Sequence, residues 1–215
     1  MYVPDQFAIS DVEAVAEFVD SVGAADIVTF DGARLVSSLV PVIWDRTHGA
    51  GGFGRLLAHI SVANSQWRTA NTEVPALAIV HGPQAYISPS WYPSKREHGR
   101  AVPTWNYSAV HFTGPILFHT DREWLRELVT HLTDRHEESR ADRWQVTDAP
   151  SSWIEGQLRG IVGVEIAVTA VEAKAKLSQN RSVADRLGVI DGLSGESGPG
   201  AAQIAASMQA QLGER

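Results

Sequence analysis

DIVTFDGARLVSSLVPVIW, residues 26–44, carries two runs of strand chemistry, IVTF and LVSSLVPVIW, with Asp31-Gly32 between them. β-branched and aromatic residues suit a pleated, half-buried surface, and Asp-Gly is a dipeptide that closes hairpins. The stretch therefore predicts an antiparallel pair. Similar spacing recurs downstream. ALAIVHG (76–82) and AYIS (85–88) read as short strands around Gly82-Pro83. RAVPTWNYSAVHFTGPILFH (100–119) reads as a longer strand region broken by Pro103 and Gly114-Pro115. IVGVEIAVTAVEAKAKL (161–177) reads as one more long strand. Connections this short suit antiparallel neighbours.

Helices frame these strands. Ser10-x-x-Glu13 is a capping-box pattern ahead of Val12, Val15, Ala16 and Val19, with an end expected near Gly23. Thr120-x-x-Glu123 opens the clearest helix, 120–137, whose apolar face is Trp124, Leu125, Leu128, Val129 and Leu132. Others are expected over 151–159 and at SVADRL, capped by Ser182 and closed by Gly188. In THGAGGFGRLLAHISVANSQW, glycines at 49, 51, 52 and 54 predict a bend, and residues 55–64 a short helix whose N-terminus would receive an anion. About seven strands with peripheral helices predict an α+β domain around a small antiparallel barrel, spanning residues 1–193. Residues 194–200, SGESGPG, read as a flexible linker, and 201–215 as an Ala-rich helical tail expected to dock on a partner subunit or fray.

Composition narrows the function. The 215 residues are 44% apolar and include seven Trp, which argues for a folded chain and against disorder. A formal charge of −7 argues against a general nucleic-acid-binding surface. The absence of Cys excludes disulfides, thiolate metal sites and Cys nucleophiles. MYVPDQFAIS has no basic or apolar leader pattern, and no run approaches a bilayer span, so the expectation is a cytoplasmic protein without membrane contact. No Walker loop, post-strand GxGxxG, HExxH or GxSxG stands in the chain.

Four stretches combine polar reach with stiff backbone: GRLLAHISVAN, YISPSWYPSK, VPTWNYSAVHFTG and AKAKLSQNR. Trp91, Tyr92, Trp105 and Tyr107 offer flat apolar area. Arg55, Lys95, Lys174, Lys176 and Arg181 offer charge for carboxylates or phosphates. Aromatics in strands are usually core and cations at strand ends usually solvated, but four such stretches together suit a flat anionic cofactor. His59 has two readings, a helix contact satisfied by a backbone carbonyl or an axial haem ligand.

MYVP at the start, LLAHISVAN, GPQAYISPSWYPSK, VPTWNYSAVHFTG, LTDRHE, IVGVEI, and KLSQNR followed by DRLGVIDGL together resemble the PaiB-like family, from Met1 to about Leu193. The resemblance implies a split β-barrel of the flavin-reductase and pyridoxamine-phosphate-oxidase kind, homodimers, and FMN-binding negative transcriptional regulators. It has a second branch, the haem-dependent piperazate synthases, which form the N–N bond of L-piperazic acid from N5-hydroxy-L-ornithine. Where the family usually reads GHxARAN, this chain has Ala58 for the Gly and Val62 for the Arg. Where it reads GKWKLSQN, Ala173 and Ala175 replace a Gly and a Trp.

The branch with haem b therefore leads, with His59 as metal ligand and Arg55, Lys174, Lys176 and Arg181 for its propionates. Trp91, Trp105, Ser88, Asn106, Ser178 and Gln179 complete the expected cofactor-binding set. Lys95 or Arg181 would hold the carboxylate of an amino-acid substrate, and Tyr92, Tyr107 or Lys176 would take a proton. The alternative is an FMN-binding regulator or flavin oxidoreductase, in which Arg55, His59, Ser88, Trp105, Asn106 and Lys176 contact the flavin. Nucleic acid is a partner only under the regulator reading.

Overall fold

The Asp31 carboxylate closes the first hairpin as expected. It accepts from the backbone N–H groups of Ala33 and Arg34, both at 2.9 Å, while Gly32 takes a φ of +94°. The computed structural model describes residues 1–49 and 52–213. Gly51, expected in the glycine bend, and Glu214 and Arg215 of the tail lie outside the described residues. In chain order the strands are β1 (Ala24–Phe30), β2 (Leu35–Pro41), β3 (Ile43–Asp45), β4 (Arg55–Ser61), β5 (Ala76–Ile87), β6 (Thr104–Gly114), β7 (Ile116–His119), β8 (Ile161–Ala167) and β9 (Ala170–Lys176). The helices are α1 (Val12–Val22), α2 (Gln66–Thr69), α3 (Pro93–His98), α4 (Arg122–Glu137), α5 (Ser151–Leu158), α6 (Val183–Ser194) and α7 (Ala201–Gly213). The α+β class with antiparallel pairing agrees with the sequence reading.

The chain divides into two compact units. The first comprises Ala16–Val80 and His111–Val171. Within it β1 lies between β2 and β5, and a second sheet has the order β3-β4-β8-β7. Leu56, Ala58 and Ile60 of β4 stand opposite Ile166, Val164 and Val162 of β8, and all six are buried on one face. On the other face Leu57 packs with Leu128 and Leu132 of α4. Each fully buried aliphatic side chain contributes about 2 kcal/mol. The second unit comprises Met1–Val15, His81–Val110 and the chain from Glu172 on. There β6 lies between β5 and β9, and α6 and α7 close over Tyr92, Ile87 and Leu177.

Several boundaries differ from expectation, each for a local reason. Residues 55–61 form strand β4 and not a helix, so the expected helix N-terminus and its anion site do not exist. Pairing on both edges, to β3 and β8, overrides the helical propensity of Leu and Ala. The glycine segment joins the β3–β4 hairpin, and a Cβ at Gly54 would lie 2.2 Å from the Asp45 carbonyl oxygen. The 161–177 run splits at Val168–Thr169 into two strands. Gly82-Pro83 sits within the single strand β5, since extended backbone accommodates the proline φ. Helix α6 passes Gly188 and ends at Ser194: Gly188 and Gly192 are close-approach sites, with a Cβ at Gly192 only 2.4 Å from the Trp91 ring. Asp121, one residue beyond the expected Thr120, caps α4 by accepting from Trp124 N at 2.9 Å. Helix α7 buries Ala201, Ile204, Ala205 and Met208 against its own chain, where docking on a partner or fraying had been expected.

Candidate functional site

In the second unit the site grows from the end of β9. Lys174 and Lys176, two residues apart on a strand, share a face. Lys174 is buried, its Nζ donating to the Tyr2 carbonyl at 3.0 Å and lying 5.2 Å from the Tyr107 ring centre. Lys176 Nζ donates to Thr104 Oγ1 at 2.5 Å and to the Trp105 carbonyl at 2.6 Å. Burial, then the charges of Lys174 and Arg181, hold its pKa below the ordinary lysine value.

The strand ends in a tight turn. Gln179 folds back on it, accepting from Leu177 N at 2.7 Å and donating to the Ala175 carbonyl at 2.5 Å. Ser178 is held at a φ of +62°, a region costly for a residue with a Cβ. Its buried hydroxyl accepts from Asn106 Nδ2 at 3.0 Å, and Asn106 is itself fully buried. Ser182 caps α6 as expected, accepting from Asp185 N at 3.2 Å. Asp185 in turn accepts from Ser94 N at 3.1 Å and Ser94 Oγ at 2.8 Å. Burial pushes its carboxyl up, but these bonds, Ser182 and the nearby Arg181 hold it below the usual carboxylate value. Arg181 lies 4.9 Å from the centre of the Tyr92 ring and makes no ion pair among the described residues. Tyr92 is 1% exposed. Burial pushes its hydroxyl up, and although Arg181 and Ser178 are near, the oxygen makes no hydrogen bond of ordinary geometry.

Two of the aromatic candidates, Trp91 and Trp105, stand on a cleft of about 510 Å³, lined also by Tyr86, Leu193 and Glu196 among others. Trp105 donates from Nε1 to Gln84 Oε1 at 3.0 Å. Ser88 caps the 3₁₀ turn Pro89–Trp91 by accepting from Ser90 N at 3.2 Å, and Lys95 Nζ donates weakly to Ser90 Oγ at 3.4 Å.

Arg55 and His59 belong to the first unit. Both occupy β4, on the face with Leu57, because side chains two apart on a strand point the same way. Arg55 Nε donates to Asp45 Oδ2 at 3.0 Å, and its Nη1 lies 3.9 Å from Glu165 Oε2. Burial pushes the Asp45 carboxyl up, but hydrogen bonds from Thr47, Arg55 and His48 outweigh it and hold Asp45 far below the ordinary carboxylate range. Glu165 also meets His119 Nε2 at 3.0 Å. His59 pairs in register with Gly163, where a Cβ would come within 2.0 Å of the Trp124 ring, and His119, stacked 4.0 Å from that ring, pairs with Gly163 from the other side. The His59 imidazole is half-buried, has no hydrogen-bond partner among the described residues, and has its pKa lowered by burial.

The structure thus gathers Tyr92, Tyr107, Asn106, Lys174, Lys176, Ser178 and Arg181 in one unit and places Arg55 and His59 in the other. Sequence reasoning missed Asp45, Glu165 and His119 around Arg55. Reading 55–61 as a strand would have exposed the alternation Arg55, Leu57, His59, and with it a polar face. It also missed Glu196. Among the described residues no group of three or more His, Asp or Glu could hold a metal ion, and no helix is long and apolar enough to cross a membrane.

Comparison with known proteins bears on what these residues serve. The "Protease synthase and sporulation protein PAI 2" of Bacillus subtilis is 33% identical, covering 99% of this chain and 98% of that protein. Among solved structures, the FAD and haem binding protein from Mycobacterium smegmatis has a TM-score of 0.57 at 12% identity, covering 83% of this chain and 78% of that one. The flavocytochrome Anf3 from Azotobacter vinelandii has a TM-score of 0.56 at 13% identity, covering 79% and 69%. At these identities the structural likeness concerns the fold, and it agrees with the expected flavin-reductase-like split-barrel class. The family model described as "Putative FMN-binding domain" matches residues 1–170, and with the full-length relationship to PAI 2 it places this chain in the PaiB-like FMN-binding family.

Proposed function

We propose that this chain holds haem b through His59 and, when loaded, cyclises N5-hydroxy-L-ornithine to L-piperazic acid with loss of water. The observation that carries the reading is the His59 imidazole. Lowered in pKa by burial and without a hydrogen-bond partner among the described residues, it keeps a lone pair for iron. The fold relative named for FAD and haem is consistent with either cofactor. Bound iron would supply Lewis acidity toward the hydroxylamine oxygen. In the overall change the N–O bond breaks as the N–N bond forms, the hydroxyl leaves as water and the α-amine gives up a proton, so no external oxidant or reductant is consumed. The two nitrogens already belong to one molecule, so what binding adds is folding of the five-carbon chain into a near-attack geometry.

In the second unit the candidate for a carboxylate is Arg181, whose guanidinium rests on the Tyr92 ring. The candidate base of the second unit is Lys176, whose pKa is lowered by burial and by its cationic neighbours. Lys95, Tyr92 and Tyr107 are the alternatives for these two tasks. A homodimer is part of the proposal, and a monomer by light scattering would count against it.

The second reading is FMN, favoured by the description of the matching family. Two contacts expected for either cofactor are spent internally, Arg55 on Asp45 and Asn106 on Ser178. The absorption spectrum of the purified protein separates the two. A Soret band that His59→Ala abolishes, with cyclised product from N5-hydroxy-L-ornithine, supports haem and the synthase. A two-band flavin spectrum supports the regulator or oxidoreductase. A Soret band unchanged in His59→Ala removes the ligand assignment, and haem-loaded protein without product removes the activity.

A further inference from the structure

We infer that the aromatic cleft of the second unit is a separate binding site for a small organic cation bearing an aromatic or alkyl group. The lining supplies ring faces and one sign of charge. Tyr86 and Trp105 are 49% and 46% exposed, and their rings meet edge to face at 6.4 Å. The indole N–H of Trp105 is already satisfied by Gln84, so what this side chain offers a ligand is its face. Trp91 is fixed from behind by Gly192, which leaves its indole no room to retreat into α6.

Among the described residues Glu196 is the sole ionic residue lining the cleft, with no Lys, Arg or His in its wall. The Glu196 side chain has no hydrogen bond or ion pair among the described residues; only its backbone N–H is used, donating to the Leu193 carbonyl at 3.1 Å. It stands two residues beyond the end of α6, where the helix dipole also favours positive charge. The wall beyond it is anchored, since Gly200 approaches the Gln84 carbonyl so closely that a Cβ would lie 2.1 Å from that oxygen.

Aromatic faces attract cations through the ring quadrupole, and a carboxylate beside them adds direct Coulombic attraction. A volume of about 510 Å³ lies within the range of small-molecule sites. Phosphates and propionates would meet only repulsion here. The site therefore differs in ligand charge from anything the Lys174, Lys176 and Arg181 cluster would hold.

The test titrates the full chain, with whatever cofactor it carries, against three probes of similar size by calorimetry: benzyltrimethylammonium, benzyl alcohol and benzoate. The cation should bind at least tenfold more tightly than the alcohol, and benzoate should not bind. Glu196→Gln should weaken the cation about tenfold, leave the alcohol unchanged and leave the absorption spectrum of the bound cofactor unchanged. Tyr86→Leu, at an exposed ring, should weaken the cation without altering the melting temperature. Equal affinity for cation and benzoate, or no effect of Glu196→Gln, would overturn the proposal. So would Glu196→Gln changing the mass in solution with no cation binding by the parent protein, which would make the cleft a contact between copies.

Discussion

Arg55 and Arg181 are the same residue type in opposite electrostatic settings. Arg55 lies between two carboxylates, bonded to Asp45 and near Glu165, so its charge is spent within its own unit. Arg181 rests on the Tyr92 ring, and its neighbour Lys176 is held by a hydroxyl and a carbonyl. Arg181 makes no ion pair among the described residues and feels the Asp185 carboxylate only at longer range, so less of its charge is cancelled. The difference teaches that counting cations near a motif says little about anion binding until their counter-charges are known.

The largest effect that breaks the first of these regions is steric. Gly163→Val would drive a side chain into Trp124, which a Cβ alone would approach to 2.0 Å. Overpacking of this kind costs about 1–3 kcal/mol or more, because indole and sheet must separate. The expected outcome is a clearly lowered melting temperature with loss of the His119–Trp124 stack.

Next comes the direct comparison of the two arginines. Arg55→Ala removes the cation that Asp45 and Glu165 share and should destabilise the protein by roughly 1 kcal/mol, after allowance for solvent screening. Asp45 has a folded pKa below its unfolded value, so its stabilising contribution is present above the unfolded value near 3.8 and is lost as pH falls through the folded one. The difference between Arg55→Ala and the parent protein should therefore shrink on strong acidification. Arg181→Ala should change stability by less than about 1 kcal/mol, because what is lost is a ring contact with Tyr92 and a longer-range attraction to Asp185 with no ion pair. If denaturant melts show the two substitutions equal in cost and in pH dependence, the two arginines do not differ in setting.

How far the sequence disclosed these settings varies by element. The Asp31-Gly32 hairpin, the long amphipathic α4 and the Ser182 cap follow from local chemistry, and local chemistry decides them in the structure. Strand β4 does not, because its Leu and Ala are equally at home in a helix and only pairing with β3 and β8 selects the extended form. Gly188 looks like a helix terminator from sequence, whereas it and Gly192 admit Trp91, a residue about one hundred positions away in the chain. The cation-rich AKAKLSQNR stretch was legible as a cluster. Its internal bookings, such as Gln179 on Ala175 and Ser178 on Asn106, depend on a turn that no spacing rule describes.

A smaller effect separates the two units by pH. Burial lowers the His59 pKa, so the unfolded chain binds a proton there before the folded one does. Stability should fall as pH drops below about 6.5, the unfolded value, and level off once the folded form is also protonated. His59→Gln should flatten that part of the stability curve in the cofactor-free protein, while Arg181→Ala should leave it unchanged. A slope that survives in His59→Gln would assign it to another histidine.

The smallest effect is expected at Tyr92. Its hydroxyl is buried without a hydrogen bond of ordinary geometry, so removing it forfeits no bond and relieves a desolvated oxygen. Tyr92→Phe should therefore shift stability by less than about 1 kcal/mol in either direction, since the ring and its contact with Arg181 remain. That small structural cost makes the variant informative about chemistry. If Tyr92 takes the substrate proton, cyclisation by the haem-loaded protein should drop at least tenfold with the melting temperature nearly unchanged. If Lys176 does so, Tyr92→Phe should retain activity, and Lys176→Met should lose it.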